Sequence, residues 1–346
     1  MSVERMPFGA TKDGSAVEKF LLKAGQLEAE VITYGATLTA LRVPDKDGKT
    51  VDVVLGYRSV AGYEENGGYL GATVGRYANR IGGAAFTIDG VRYQLTANEG
   101  RNQLHGGPGG YAHQVFRGEP TGESQVTFSF RDPDGANGYP GNVEMSVTYT
   151  LTEEGLRLSY RGETDKPTFC NFTNHSYFNL NGGGSAMGHL LWIKSDTFTP
   201  VDADSIPVEQ SRPVEGTAFD FRQEKPVGRD IEADEEQLHR TGGYDHNFLL
   251  GSAEAPRLVA RLTGEKSGIV METYTCQSGV QLYAANWLEA ERDTKSGIPY
   301  GKREAVCLET QIPPDSPNHP EWGDVVLRPG QVYESVTEYR FNVKEA

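Results

Sequence analysis

The chain has 346 residues, of which 37% are hydrophobic, and its 17 tyrosines and 14 phenylalanines supply enough apolar material for a sizeable core, which excludes a disordered protein. A formal net charge of −15 would repel phosphate backbones and anionic membranes, so we exclude nucleic acid and membrane surfaces as partners. The three cysteines, Cys170, Cys276 and Cys307, are too few and too widely separated for a disulfide framework or a CxxC metal site, and we expect reduced thiols.

The N-terminal segment has no basic stretch followed by an apolar stretch, and no run of 18 apolar residues occurs in the chain. We therefore expect a cytoplasmic protein. Strand patterns begin soon after the N-terminus. Residues 31–43 lead through a polar turn at 45–48 to a second apolar run at 51–55.

Two hairpins follow along the chain. An Asp-Gly pair, whose residue types suit a type I′ turn, separates short strands predicted at 86–88 and 91–93. The clearest alternation of apolar and polar residues covers 143–151 and continues, after a turn, at 156–160. Period-two alternation of this kind is typical of antiparallel strands with one face on the core.

Helical patterns are scarce, with short candidates near 59–63 and 231–239. The glycine-rich stretch 182–185 is short enough to be a loop, and no linker or internal repeat divides the chain. The patterns predict an all-β fold, a large antiparallel β-sandwich, in one domain that spans residues 1–346.

The run Asn-Phe-Thr-Asn-His-Ser-Tyr-Phe-Asn-Leu at 171–180 is the first candidate for chemistry. It reads as a strand and places His175 among amides, hydroxyls and the ring of Tyr177. An imidazole can exchange a proton near neutral pH, and its neighbours can bind and stack on a sugar. A hydrogen-bonded structural histidine would give the same pattern.

Glu309 lies in the apolar run 305–311 and is the candidate base. Alternation places it on one strand face with Cys307 and Gln311, which a half-buried antiparallel strand would also show. Partial desolvation of this carboxyl would favour its protonated form and raise its basicity. If the fold brings Glu309 opposite His175, the two groups can move protons on and off a substrate without a cofactor.

Other segments offer hydrogen-bonding groups. Asn79 and Arg80 are adjacent and could grip vicinal hydroxyls, although pairing of the arginine with a surface carboxylate is an equally good interpretation. His105 lies beside two glycines, where backbone can approach a ligand closely. Asp245, Gln277 and Gln281 could bind further hydroxyls, although an Asp-capped turn and a Ser-Gly turn would also explain these segments.

Several chemistries have no motif in the chain. GxxxxGK[ST], GxGxxG before a helix, HExxH and GxSxG are all missing. The seven histidines lack close metal-ligand spacing, apart from long-range combinations such as His105 with His175. We expect an acid–base enzyme with no cofactor and no metal.

Five segments, in the order GRYANRI, LHGG, NFTNHSYFNL, YDHNF and CLETQ, closely resemble the aldose 1-epimerase (galactose mutarotase) family. They extend from Gly75 to Gln311. The resemblance implies a galactose mutarotase-like β-sandwich, or supersandwich, with a sugar cleft on its concave side. It also implies an isomerase of galactose and hexose metabolism that interconverts the α and β anomers of free aldohexoses such as galactose and glucose. The predicted partner is the monosaccharide substrate, and the protein would be a monomer or a homodimer.

The resemblance also implies roles. Glu309 would take the proton of the C1 hydroxyl, His175 would protonate the ring oxygen, and His105 would assist near that oxygen. The substrate-binding residues would be Asn79, Arg80, Tyr177, Asp245 and Gln277. An ionised Glu309 near His175 would favour the imidazolium form, which predicts a bell-shaped pH profile. Residues 108–113, after His105, depart from the family pattern, which leaves selectivity there open.

Three other functions remain open at this stage. A β-sandwich could bind carbohydrate without converting it. A glycosidase could use Asp245 and Glu309 as its two carboxylates. A hexose-6-phosphate mutarotase would share the chemistry but would need extra cationic groups for the phosphate.

Overall fold

The computed structural model describes residues 1–65, 67–289 and 292–344, which form many strands and a few short helices. No helix in these three ranges combines the length and apolarity that a bilayer crossing requires. The α-helices are α1 (Val60–Glu65) and α2 (Glu236–Thr241). The 3₁₀ turns are Gly82–Ala84, Tyr111–His113, Ala136–Gly138, Ser316–Asn318 and Pro320–Trp322.

The strands are numbered in chain order. The first ten are β1 (Ser2–Ala10), β2 (Ala16–Ala24), β3 (Leu27–Ile32), β4 (Thr37–Pro44), β5 (Thr50–Asp52), β6 (Thr73–Val74), β7 (Arg80–Ile81), β8 (Ala85–Ile88), β9 (Val91–Gln94) and β10 (Gln103–Leu104). The next ten are β11 (Arg117–Gly122), β12 (Gln125–Asp132), β13 (Val143–Leu151), β14 (Gly155–Thr164), β15 (Thr168–Phe169), β16 (Thr173–Asn174), β17 (Leu190–Ile193), β18 (Thr197–Phe198), β19 (Arg212–Pro213) and β20 (Lys225–Pro226). The last seven are β21 (Asp245–Leu249), β22 (Arg257–Thr263), β23 (Ile269–Thr275), β24 (Gly279–Tyr283), β25 (Cys307–Gln311), β26 (Val326–Leu327) and β27 (Val332–Val343).

Three antiparallel sheets contain most of these strands. The largest has nine strands in the order β11-β12-β13-β14-β27-β23-β22-β17-β20. Strands β1 to β5 form a five-stranded meander, and a second five-stranded sheet has the order β19-β18-β21-β24-β25. Short two-stranded pairs, including β7 with β10 and β6 with β16, lie outside these sheets and carry residues of the site.

One apolar cluster joins the three sheets. It includes Phe20 of β2, Phe128 of β12, Leu308 of β25 and Tyr339 of β27, all of which are buried. Phe20 and Phe128 meet edge to face with their ring centroids 5.5 Å apart. Each such side chain contributes roughly 1.5–3 kcal/mol by leaving water. Sheets packed face to face on a shared core form a sandwich, so the predicted all-β sandwich is confirmed.

The two predicted hairpins are also confirmed. Strand β13 pairs with β14 over its whole length, and β8 pairs with β9. Asp89 and Gly90 between β8 and β9 both have positive φ, 51° and 81°, as a type I′ turn requires. Helix α1 lies where a helix was predicted, whereas α2 begins at Glu236, later than the predicted residue 231. The three cysteines are free thiols.

Two strand predictions were too long. The run 31–43 is interrupted between β3 and β4, because Gly35 and Ala36 turn the chain with positive φ. The run 171–180 contains only the two residues of β16 and isolated bridges at Asn171 and Phe178. In this segment, side-chain amides form hydrogen bonds in place of the backbone hydrogen bonds of a regular strand. Asn174, for example, donates from its side chain to the Gly71 carbonyl at 2.8 Å.

Candidate active site

The pair β7–β10 positions two of the predicted residues. Leu104 of β10 is the cross-strand partner of Arg80 in β7, and His105 follows immediately. The main chains of His105 and Asn79 are joined by a hydrogen bond from the His105 N–H to the Asn79 carbonyl at 3.0 Å. Both residues have positive φ, 52° and 64°, so the chain turns sharply and brings both side chains to one place.

His175 follows the short strand β16, which pairs with β6. Its backbone N–H donates to the Ala72 carbonyl at 2.9 Å, and its carbonyl accepts from the Gly71 N–H at 2.8 Å. These bonds fix the main chain on both sides of the histidine. The imidazole stacks on the Tyr177 ring at 5.0 Å with an interplanar angle of 18°, and faces Tyr69 at 6.1 Å and 25°.

The sheet β19-β18-β21-β24-β25 supplies the carboxyl groups. Gln281 of β24 pairs directly with Glu309 of β25, and Asp245 of β21 pairs with Tyr283 of β24. The side chain of Gln281 donates from Nε2 to Asp245 Oδ1 at 2.7 Å. This bond connects adjacent strands and holds the Asp245 carboxyl in place.

These elements meet at one pocket with a volume of about 160 Å³. Its lining includes seven of the eight predicted site residues. The lining residues are Gly68, Tyr69, Asn79, Arg80, Glu99, Leu104, His105, His175, Tyr177, Asp245, Tyr283, Trp287 and Glu309.

The candidate acid and base face each other in this pocket. His175 Nε2 lies 3.6 Å from Glu309 Oε1, and both side chains are buried. The other carboxyl oxygen of Glu309, Oε2, is buried and accepts no hydrogen bond from any residue that the structure describes. A buried carboxyl oxygen without a hydrogen-bond partner is costly to stability.

Burial sets the protonation of this pair. It raises the pKa of Glu309 well above its usual value, and the nearby Asp245 carboxyl raises it further while Arg80 lowers it. Burial lowers the pKa of His175 to about 4. The expectation of a resting imidazolium was therefore wrong. Burial thus favours the uncharged form of each group, the neutral imidazole of His175 and the carboxylic acid of Glu309.

His105 is held as a hydrogen-bond donor. Its Nδ1 accepts from the Asn79 backbone N–H at 3.1 Å, so the proton of the neutral ring is on Nε2. Burial lowers the pKa of His105 well below its usual value, and the neighbouring His175 and Arg80 lower it further. His105 is therefore neutral, with its ring centroid 5.3 Å from that of His175.

His105, His175 and Glu309 are also the residues that could hold a metal ion, because one ligand atom from each lies within 4.8 Å of the others. The hydrogen bond from Asn79 opposes this use. A metal on Nδ1 of His105 would displace the bond, and a metal on Nε2 would leave a protonated Nδ1 facing another N–H. Histidines that bind metals normally donate from their second nitrogen. The donor set therefore fits a metal poorly.

Arg80 and its partners form the polar wall. The guanidinium donates to both oxygens of Glu99, from Nε at 2.6 Å and Nη2 at 2.8 Å, and its Nη1 lies 3.8 Å from Asp245 Oδ2. Asn79 Oδ1 accepts from the Arg80 N–H at 2.8 Å, which leaves the Nδ2 group of Asn79 as the donor toward the pocket. Burial raises the pKa of Asp245, although Arg80 and Gln281 oppose that rise.

The prediction of Gln277 as a substrate-binding residue was wrong. Its side chain donates to Tyr333 Oη at 2.7 Å and it does not line the pocket. Gln277 lies in the bend between β23 and β24, whereas Gln281 lies in β24 and bonds to the Asp245 carboxyl. Sequence reasoning also missed Tyr69 and Glu99, which lie in irregular segments with no pattern. Trp287 also lines the pocket and is 69% exposed.

The pocket thus combines a carboxyl–imidazole pair with amide, guanidinium and aromatic groups, the residue types that bind and convert sugars. A profile of the family described as aldose 1-epimerase matches residues 18–340. The chain belongs to the aldose 1-epimerase family.

Individual relatives agree over nearly the whole chain. Galactose mutarotase of Rattus norvegicus is 42% identical over 346 residues, which cover 99% of each protein. Aldose 1-epimerase of Escherichia coli (strain K12) is 38% identical over 316 residues, 90% of this chain and 91% of that protein. The crystal structure of a GalM/aldose epimerase homologue from C. elegans superimposes with a TM-score of 0.88 at 32% identity, covering 95% of this chain and all of that one. The predicted family is therefore confirmed.

Proposed function

We propose that this protein is an aldose 1-epimerase, an isomerase that interconverts the α and β anomers of free aldohexoses such as galactose and glucose. The observation that carries this function is the 3.6 Å approach of His175 Nε2 to Glu309 Oε1 in a buried pocket. The hydroxyl oxygen O1 and the ring oxygen O5 of an aldose are both bonded to C1. One proton donor and one acceptor that lie this close together can therefore serve both oxygens.

Ring opening uses the ionised form of the pair. The Glu309 carboxylate takes the proton of the O1 hydroxyl, and the electrons of that O–H bond form the C1=O1 double bond. The C1–O5 bond breaks, and O5 takes a proton from Nε2 of His175. Rotation about C1–C2 then presents the other face of the aldehyde. Reversal of the same transfers closes the opposite anomer.

One proton is shared between the two side chains throughout this cycle. Opening begins with carboxylate and imidazolium and ends with carboxylic acid and neutral imidazole, so the cycle visits both states. Burial of both groups favours the neutral state. Donation from substrate hydroxyls and the charge of Arg80 favour the ionised carboxylate when a sugar is bound. Each positioned proton-transfer group contributes about 10²–10⁴-fold in rate.

The remaining residues hold the sugar. His105 donates from Nε2 toward the ring oxygen, where negative charge develops during opening. Asn79 Nδ2 and Arg80 Nη1 donate to hydroxyls, and Asp245 accepts from them. The tyrosine rings beside His175, including Tyr177, exclude water and shape the pocket. Gln281 acts on substrate only through Asp245.

A free sugar fits the pocket better than a sugar phosphate. Arg80 is the one cation among the described residues of the lining, and two of its nitrogens are already bonded to Glu99. A phosphate would add negative charge beside Asp245 and Glu309 without a free cation to balance it. A module that only binds sugar would not need a buried acid–base pair. Glu309 Oε2 also has no hydrogen-bond partner among the described residues, which argues against a purely structural role for this carboxyl.

We further propose that residues 1–346 act as one cytoplasmic domain, as a monomer or homodimer, without nucleic acid, metal or cofactor. The acidic net charge supports the exclusion of nucleic acid, and the cluster joining three sheets supports one domain.

Polarimetry of freshly dissolved α-D-galactose and α-D-glucose tests the proposed activity. Wild-type protein is expected to speed the approach to equilibrium rotation, whereas His175→Ala is expected to leave little more than the spontaneous rate. Circular dichroism establishes that both proteins are folded. No acceleration of either sugar by folded wild-type protein would refute the proposed function.

A further inference from the structure

The candidate acid has one ring nitrogen without a partner. His175 Nδ1 is buried and forms no hydrogen bond with any residue that the structure describes. The other nitrogen, Nε2, is the one that lies 3.6 Å from Glu309 Oε1. Because Nδ1 has almost no accessible surface, a bound sugar does not reach it. The substrate therefore cannot supply the missing partner.

The missing partner matters because His175 must carry two protons to act as the acid. An imidazolium has a proton on each nitrogen, and in acid–base histidines a carboxylate or a backbone carbonyl often accepts the proton of the second nitrogen. Without such an acceptor the cation is costly in a buried site. Burial lowers the pKa of His175 to about 4, and the residue's own main chain opposes that fall only in part. The proposed reaction thus requires another source of stabilisation for the imidazolium.

Two tyrosine rings lie nearly parallel to the imidazole. The ring centroid of Tyr177 is 5.0 Å from that of His175 with an interplanar angle of 18°, and the centroid of Tyr69 is 6.1 Å away with an angle of 25°. Burial raises the pKa of both phenols, so both rings stay neutral. The face of a neutral aromatic ring is negative and attracts a cation within about 6 Å of its centroid. By contrast, the rings of His105 and Tyr283 meet the imidazole edge to face, at 76° and 80°.

We propose that Tyr177 and Tyr69 are positioning residues, whose ring faces stabilise the imidazolium form of His175 in place of a hydrogen-bond acceptor at Nδ1. Tyr177 is nearer and more nearly parallel, so its ring makes the larger contribution. Tyr177 and His175 are both buried, which strengthens the attraction because no water screens it. This inference rests on the proposed function, since only acid–base chemistry requires the imidazolium.

Fluorination of the rings tests the proposal with little change in shape. Tyr177→Phe is the reference protein, and phenylalanines with one, two or three ring fluorines are then incorporated at the same position; a second series is made at Tyr69. Each fluorine withdraws electrons from the ring face and weakens its attraction for a cation. We expect kcat for α-D-galactose, measured by polarimetry, to fall about two- to threefold per fluorine at position 177 and by less at position 69, while KM changes little.

Tyr93 of β9 is the matched control, because it lies outside the pocket and the same fluorinated residues there should leave kcat unchanged. The proposal is overturned if kcat is independent of fluorine number at position 177, if it falls equally at position 93, or if a folded Tyr177→Phe protein is inactive. If Tyr177→Phe does not fold, the series at Tyr69 decides. A flat series at position 69 alone would overturn the role of Tyr69.

The same measurements separate this inference from the proposed function. Wild-type protein without mutarotase activity would refute the proposed function, and this inference with it. An active wild-type protein whose fluorinated variants all turn over at the rate of their reference would refute this inference alone.

Discussion

Glu309→Gln should separate activity from stability. The amide keeps the volume of the buried side chain but cannot take the O1 proton, so we expect kcat for α-D-galactose to fall about 10²–10⁴-fold, or about 2.7–5.5 kcal/mol of transition-state stabilisation. Polarimetry, corrected for the spontaneous reaction, measures this loss. Glu272→Gln is the matched control, since Glu272 lies in β23, outside the pocket, and bonds to Arg261. Its kcat should equal that of wild type.

The same variant should be no less stable than wild type at pH 7. The pKa of Glu309 is raised in the folded state, so the folded protein binds more protons than the unfolded chain above the unfolded pKa. Stability is therefore lost as pH rises from about 4.5 toward the folded pKa, and glutamine removes that loss. In chemical denaturation, the free energy of unfolding of the variant, relative to that of wild type, should be higher at pH 8 than at pH 5. Activity within threefold of wild type would refute the base role, and marked destabilisation at pH 8 would refute the protonation argument.

Three further predictions follow from individual contacts. Burial lowers the pKa of His175 to about 4, so the unfolded chain binds more protons than the folded protein below about pH 6.5. The free energy of unfolding of wild type should therefore fall by about 2 kcal/mol more than that of His175→Asn between pH 7 and pH 5. Equal falls in denaturant titrations would contradict this. Gln277→Ala should leave kcat/KM unchanged, whereas Gln281→Ala should lower it about tenfold by freeing Asp245, and the reverse order would contradict the placement of these glutamines. Stoichiometric Co²⁺ should give no tetrahedral absorption band, because His105 Nδ1 is occupied; a band lost in His105→Ala would show a metal site.

The parts of the fold that local sequence determines were predicted well. The β13–β14 hairpin follows from period-two alternation, and the turn at Asp89-Gly90 follows from residue types that tolerate positive φ. Proximity of His175 and Glu309 could not be read from spacing, because they lie on different elements far apart in the chain. Their pairing came from family resemblance, and the structure places the two side chains in contact range.

Burial was the property that sequence patterns described poorly. Alternation in 307–311 predicted a half-buried strand, yet all five residues of β25 are buried. The second face is covered by β27, where Thr310 Oγ1 and Thr337 Oγ1 share a hydrogen bond at 2.5 Å. That cover depends on a strand near the C-terminus and leaves no local signal. The imidazolium prediction for His175 failed for the same reason, because desolvation depends on the whole fold.

The most direct test of the proposed ring opening follows the oxygen at C1. Proton exchange at Glu309 and His175 breaks the C1–O5 bond and keeps O1 on C1, whereas a glycosidase-like reaction would break C1–O1 and replace O1 with solvent oxygen. α-D-Galactose is therefore incubated with the protein in ¹⁸O-labelled water, anomer interconversion is followed by polarimetry, and label in the sugar is measured by mass spectrometry. We expect many interconversions with ¹⁸O uptake no faster than in the protein-free control. Uptake of one ¹⁸O per interconversion would contradict it.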